Sequence, residues 1–116
     1  MKRLPRSEWV EELDRVNARI ASGFRLVDTE MREVTGIDYT PMDDVIEVDA
    51  LSAGHLIRIV LDRPIEVLVS EESAPATGSY LFIDCVTDSF EIRRRGTADD
   101  TLPANPPDQE GSYFGG

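Results

Sequence analysis

Trp9, Leu13, Val16 and Ile20 recur at intervals of four, three and four residues, the spacing that gathers apolar side chains on one face of an α-helix. The flanking residues agree with a helix start. Pro5 suits a first helical turn, Ser7 is an alternative N-cap, and Glu8, Glu11 and Glu12 sit where the helix dipole favours acids. Glu11 and Arg15 stand four apart in the favourable order, and Gly23 can take the left-handed conformation that closes a helix.

After Gly23 the apolar period shortens to about two, and Val, Ile and aromatic residues dominate between turn residues. This pattern predicts strands over 24–34, 37–40, 45–50, 55–61, 65–71, 79–86 and 90–94. Pro41 pre-sets the backbone of a turn within Thr40-Pro41-Met42-Asp43-Asp44, so the strands beside it should form a hairpin. Thr87-Asp88 makes a second tight connection. Short connections imply antiparallel neighbours. The expected fold is therefore α+β: an N-terminal amphipathic helix packed on a curved, mainly antiparallel sheet of about six strands. Alternation places His55, Ile57, Ile59 and Leu61 on one face. It places Leu81, Ile83 and Cys85 on another such row, opposite Tyr80, Phe82 and Asp84.

The length of 116 residues suits one domain, read here as 1–95. Beyond it, residues 96–116 carry four acids, no base and three prolines, the composition of a flexible acidic tail. Its Tyr113-Phe114 pair is either a short recognition peptide or a stray terminal pair. The single cysteine cannot close an internal disulfide, and the charged N-terminus lacks the apolar stretch of a signal peptide. A cytoplasmic protein without a membrane segment is expected.

The formal net charge is −11, unevenly spread. Residues 1–25 hold six bases and four acids, whereas 26–95 hold fifteen acids and six bases. Between Arg32 and Arg58 there is no base, while Glu33, Asp38, Asp43, Asp44, Glu47 and Asp49 all fall there. Such a segment repels nucleic-acid backbones and anionic lipids and steers basic partners. Direct nucleic-acid binding is disfavoured, with Arg93-Arg94-Arg95 the one counter-signal. That run reads as neutralisation of the acidic body at a strand end.

Catalytic side chains are scarce. Cys85 falls on an apolar row with no base to lower its pKa, so it reads as an inert core thiol. His55, the only histidine, begins a strand after Ser52-Ala53-Gly54 and reads as a rim residue bonded to backbone. Asp43, Asp44 and Glu47 could offer oxygens to calcium, but the EF-hand spacing is missing and a solvated turn is the simpler reading. Phosphate-loop glycines, zinc spacing and a nucleophile elbow are absent. No catalytic residue, metal or cofactor is assigned.

Arg3-Leu4 through Glu8-Trp9, then Gly36 to Val48 (Gly-Ile-Asp-Tyr-Thr-Pro-Met-Asp-Asp-Val-Ile-Glu-Val), His55-Leu56-Ile57-Arg58 and Arg63-Pro64-Ile65-Glu66-Val67 together resemble a family of small prokaryotic proteins classed as a domain of unknown function. The resemblance spans roughly residues 3–94. Ile59 to Asp62 lengthens one segment relative to that pattern, and the last hairpin lacks a glycine turn. The resemblance implies a fold class and no catalytic residues.

Two functional expectations follow. The first is a non-catalytic acidic interaction module that binds a basic protein surface through Asp43, Asp44, Glu47 and Asp49; its sharper form is an inhibitor that mimics nucleic-acid charge. The second is a small ligand-binding protein or minor enzyme using His55 with carboxylates in a cleft between helix and sheet. A plainer account of the acidity is solubility alone. An unpaired edge strand could also join a second copy into a homodimer.

Overall fold

The apolar stripe forms the helix it predicts. A computed structural model, which describes residues 1–71 and 78–95, opens with strand β1 (Lys2–Arg3), a 3-10 turn (Arg6–Glu8) and helix α1 (Trp9–Ala21). Trp9, Leu13 and Val16 are buried and Ile20 packs against the same core. The helix start differs from expectation. Pro5 precedes the 3-10 turn, Glu8 occupies the α1 N-cap position, and neither N-cap makes a side-chain hydrogen bond. Ser7 lies inside the 3-10 turn rather than capping α1. At the other end Gly23, at φ 112°, lets the amide of Phe24 donate to the Arg19 carbonyl, as a left-handed terminator should.

Seven further strands follow: β2 (Leu26–Asp28), β3 (Glu33–Thr40), β4 (Val45–Ser52), β5 (His55–Asp62), β6 (Pro64–Val69), β7 (Gly78–Cys85) and β8 (Ser89–Arg94). The architecture is α+β, one helix packed on an open antiparallel sheet of eight strands in the order β1-β6-β7-β8-β2-β3-β4-β5. Of the eight, β1 is only two residues long, too short to show a period of two, and it lies outside every predicted strand range. The acidic tail at 96–116 lies outside the described residues.

The expected strand 24–34 is two strands. Asp28, 1% exposed, turns its carboxylate back on its own chain: Oδ1 accepts from the amides of Glu30 and Arg32, and Oδ2 from Arg32 Nε at 2.7 Å. With Met31 at φ 63°, this makes a tight turn stabilised by an aspartate in its usual turn-forming role. The strand expected at 37–40 instead starts at Glu33 and runs through Gly36, where the register shifts between Val34 and Gly36. That bulge lets both Val34 and Ile37 face the core. A second bulge, between Ser79 and Leu81, buries Tyr80 beside Leu81. Tyr80 therefore does not share the outward row of Phe82 and Asp84, as alternation alone implied.

The proline turn is as expected: Thr40 pairs with Val45, Asp44 has φ 53°, and its amide donates to the Pro41 carbonyl. β4 and β5 form a second hairpin, closed at Ser52 and His55 through Ala53 and Gly54, both at positive φ, the hallmark of a primed two-residue turn.

Only Arg63 separates β5 from β6, although these strands stand eighth and second in the sheet. One residue spans under about 4 Å per Cα step, so the two ends of the sheet must curl toward each other at this corner. α1 lies in the concavity, where Trp9, Leu13 and Val16 join Ile37, Ile46, Val48, Tyr80, Leu81, Ile83 and Ile92 in one cluster. No described helix is long and apolar enough to cross a membrane.

Candidate interaction face

The sheet's convex side carries the acids. Backbone hydrogen bonding fixes which residues lie there. Asn17 on α1 takes both backbone groups of Ile37, accepting from its amide at 2.9 Å and donating to its carbonyl at 2.6 Å. Ile37 therefore faces away from β4, and the alternate residues Gly36, Asp38 and Thr40 bond across to Asp49, Glu47 and Val45. The side chains of Ile37, Ile46, Val48 and Ala50 point into the core. Asp38, Glu47, Asp49 and, from β5, Arg58 and Val60 point out.

Asp38 stands directly opposite Glu47. Like charges in that position destabilise a sheet by some tenths of a kcal/mol. One base answers them: Arg58, opposite Asp49, donates from Nε to Asp49 Oδ1 at 2.9 Å and holds Nη1 3.8 Å from Glu47 Oε1. The hydrogen bond to Asp49, then the charges of Asp49 and Glu47, raise the Arg58 pKa above its ordinary value.

The four residues expected to bind a partner are not equivalent. Glu47 and Asp49 share the face just described, and Asp43 is exposed in the β3–β4 turn. Asp44 is a structural anchor. Its Oδ1 accepts from Arg6 Nη1 at 2.9 Å and from the Tyr39 hydroxyl at 3.0 Å. Arg6 also donates from Nη2 to the Pro64 carbonyl at 2.9 Å and lies 4.3 Å over the Trp9 ring. One guanidinium thus ties the 3-10 turn to the proline turn and to the β5–β6 corner. Its hydrogen bond to Tyr39 is the largest of the effects that raise its pKa, ahead of the contributions of Asp44. Asp38 and Arg58, not among the four, complete the face.

His55 is exposed at the β4–β5 hairpin, opposite Ser52. Two concavities border α1. One, of about 220 Å³, is lined by charged residues including Lys2, Glu12, Arg15 and Arg19; the other lies against Arg6, Ser7, Val10, Tyr39 and Pro41. His55 borders neither. Asp43, Asp44 and Glu47 are not brought together: Asp44 turns to Arg6 and Glu47 to Arg58. Among the described residues no three His, Cys, Asp or Glu side chains converge as a cation site would need.

Cys85 is buried, as expected. Burial, reinforced by Asp88 and Asp84, pushes its thiol pKa up. A group whose folded pKa is raised contributes stability that is intact below its unfolded pKa and lost as pH climbs toward the folded one. Between neutral pH and about pH 10, where a free thiol ionises, the urea midpoint of the wild type should fall further than that of Cys85→Ala. Equal falls would mean that the thiol ionises as readily in the fold as outside it.

No family model matches the chain, and neither a curated protein nor a solved structure does, so the candidate face rests on its own geometry.

Proposed function

We propose that this chain is a non-catalytic interaction module that receives a basic protein segment on the convex face of β3–β5, through Asp38, Glu47 and Asp49 with Asp43 at the rim. The observation that supports this reading is the opposed pair Asp38 and Glu47, a placement that costs stability in the free protein and that a cation from a partner would relieve. Arg58 neutralises part of the cluster and leaves Asp38 without a cation among the described residues. The long-range field of the −11 chain raises the encounter rate with a basic surface and does little to hold it. An inhibitor that mimics nucleic-acid charge is a special case, in which nucleic acid would compete with the chain for its partner.

The test compares proteins retained from host lysate by the wild type and by Asp38→Asn/Glu47→Gln/Asp49→Asn, at about 50 and about 300 mM NaCl. A control triple variant neutralises Asp14, Glu30 and Glu71, which lie away from this face. The expected result is a basic partner held at low salt by wild type and control, and lost by the face variant. Equal loss by both triple variants would show that only net charge matters, and equal retention by all three that neither charge nor face does; either outcome would overturn the reading.

A further inference from the structure

β5 is a long edge whose charged side chains, Arg58 and Asp62, are of opposite sign. Natural sheets guard exposed edges with short strands, lysines, prolines or bulges. The opposite edge, β1, follows that rule with two basic residues. β5 runs for eight residues in unbroken register with β4, contains no lysine, proline or bulge, and pairs with no other described strand. Because Val45, Glu47 and Asp49 bond toward β3, it is Ile46, Val48, Ala50 and Ser52 that bond to Leu61, Ile59, Ile57 and His55. The N–H and C=O groups of Leu56, Arg58, Val60 and Asp62 therefore point away from the sheet. Leu56 and Val60, 68% and 56% exposed, line the convex side of this edge, and the half-buried Ile57 and Ile59 line the concave side.

We infer that β5 pairs antiparallel with β5 of a second copy of this chain, about a two-fold axis at Val60. The charges choose the register. Arg58 and Asp62 lie symmetrically about Val60, so this axis sets each Arg58 opposite the other copy's Asp62, Val60 opposite Val60, and Ile59 opposite Leu61. An axis at Arg58 would set the two arginines against each other. An axis at Ile59 would set Leu56 against Asp62 and Arg58 against Val60, pairing apolar groups with charges on the convex side. Only an axis on a β5 residue keeps both convex faces on the same side, and of these three the Val60 axis alone pairs unlike charges and leaves apolar neighbours matched. The product is a sixteen-stranded sheet with two acidic faces side by side. The paired stretch is short, so association belongs in the micromolar range of weak interfaces.

Sedimentation velocity of the full chain from about 1 to about 200 μM should show a monomer–dimer equilibrium. Val60→Lys suits the monomer, since residue 60 is exposed and opposite Glu47, yet it places two ammonium groups at the axis; the dimer dissociation constant should rise about tenfold or more. Asp62→Arg should weaken the dimer, and Arg58→Asp/Asp62→Arg should recover it. Because the double variant also removes the Arg58–Asp49 pair, its register is checked independently by cysteines. Under mild oxidation Val60→Cys should crosslink into a covalent dimer, and Leu56→Cys should not, given the Cα separation that a disulfide requires; the native Cys85 is buried and stays out of the reaction. A monomer at every concentration, a dimer indifferent to Val60→Lys, or crosslinking at Leu56 in preference to Val60 would each overturn the inference. Asp62→Arg leaves Asp38, Glu47, Asp49 and Arg58 as they are, so in that variant the dimer can fail while partner binding stands.

Discussion

Trp9→Ala should cost about 3–5 kcal/mol of folding stability, the range for emptying a buried large aromatic site. Trp9, the only tryptophan, is 1% exposed and does three things at once. Its ring fills the core between α1 and the sheet, meeting the Tyr39 ring edge-on at 5.0 Å between centroids. Its Nε1 donates to the Leu4 carbonyl at 3.2 Å, holding the segment that enters from β1. Its face supports the Arg6 guanidinium that reaches Asp44 and Pro64. Alanine leaves a cavity and removes the platform under Arg6. Trp9→Phe separates these contributions: it keeps most of the ring and loses the N–H donor, so about 1–2 kcal/mol is expected. Urea unfolding followed by circular dichroism reads both, since the variants have no tryptophan fluorescence. A Phe variant as damaged as the Ala variant would assign the role to the hydrogen bond rather than to packing.

The elements that declared themselves in the sequence are those whose pattern is local. The α1 stripe needs only its own period, and the β3–β4 turn needs only Pro41 and its neighbours; both stand where expected. Alternation placed Ile57, Ile59 and Leu61 together, and likewise Leu81, Ile83 and Cys85, because no bulge interrupts those runs. It failed at Tyr80, where an extra residue shifts the phase. A bulge is a property of two strands, and one strand's sequence does not contain its partner. The aspartate turn after β2 was missed for a different reason. Asp28 follows two apolar residues and looks like the polar position of an alternating strand until its carboxylate is seen to fold back on Glu30 and Arg32.

The candidate face was partly legible in the same sense. A base-free run of acids is visible in the sequence, and Glu47 and Asp49 do stand together on the convex side. The sequence cannot say which acids of such a run are already satisfied. Asp44 is held by Arg6, thirty-eight positions earlier in the chain, and only the curl that brings the 3-10 turn to the proline turn makes that pair. Asp38 gains its importance from facing Glu47 across the hairpin. Arg58, which reads as an interruption in an apolar strand, is the counter-ion that pairs with Asp49 and Glu47 across the hairpin.

The second large effect is expected at Asn17, a polar residue on α1 whose amide ties the helix to β3. β2 pairs with β3 only at Val27 and Glu33, so beyond that point no described strand neighbours β3 on its inner edge. The Asn17 amide substitutes for one, filling both the donor and the acceptor position of Ile37. Asn17→Leu keeps the size and removes both bonds, leaving an amide and a carbonyl without partners beneath the helix. At about 1–3 kcal/mol for each unsatisfied group, a loss of about 2–4 kcal/mol is expected, together with rapid hydrogen exchange at the Ile37 amide. Asn17→Asp makes the argument directional. Its carboxylate can still accept from the Ile37 amide, but its second oxygen meets the Ile37 carbonyl, and that repulsion favours the protonated acid. The folded pKa of the introduced aspartate is then raised, so its contribution to stability is present at low pH and lost as pH rises through that value. Relative to wild type, Asn17→Asp should regain stability on going from about pH 7 to about pH 4, near the ordinary carboxyl pKa. A wild-type-like urea midpoint for Asn17→Leu at neutral pH would mean that water serves Ile37 as well as the amide does, and that the helix is held to the open edge of β3 by its apolar face alone.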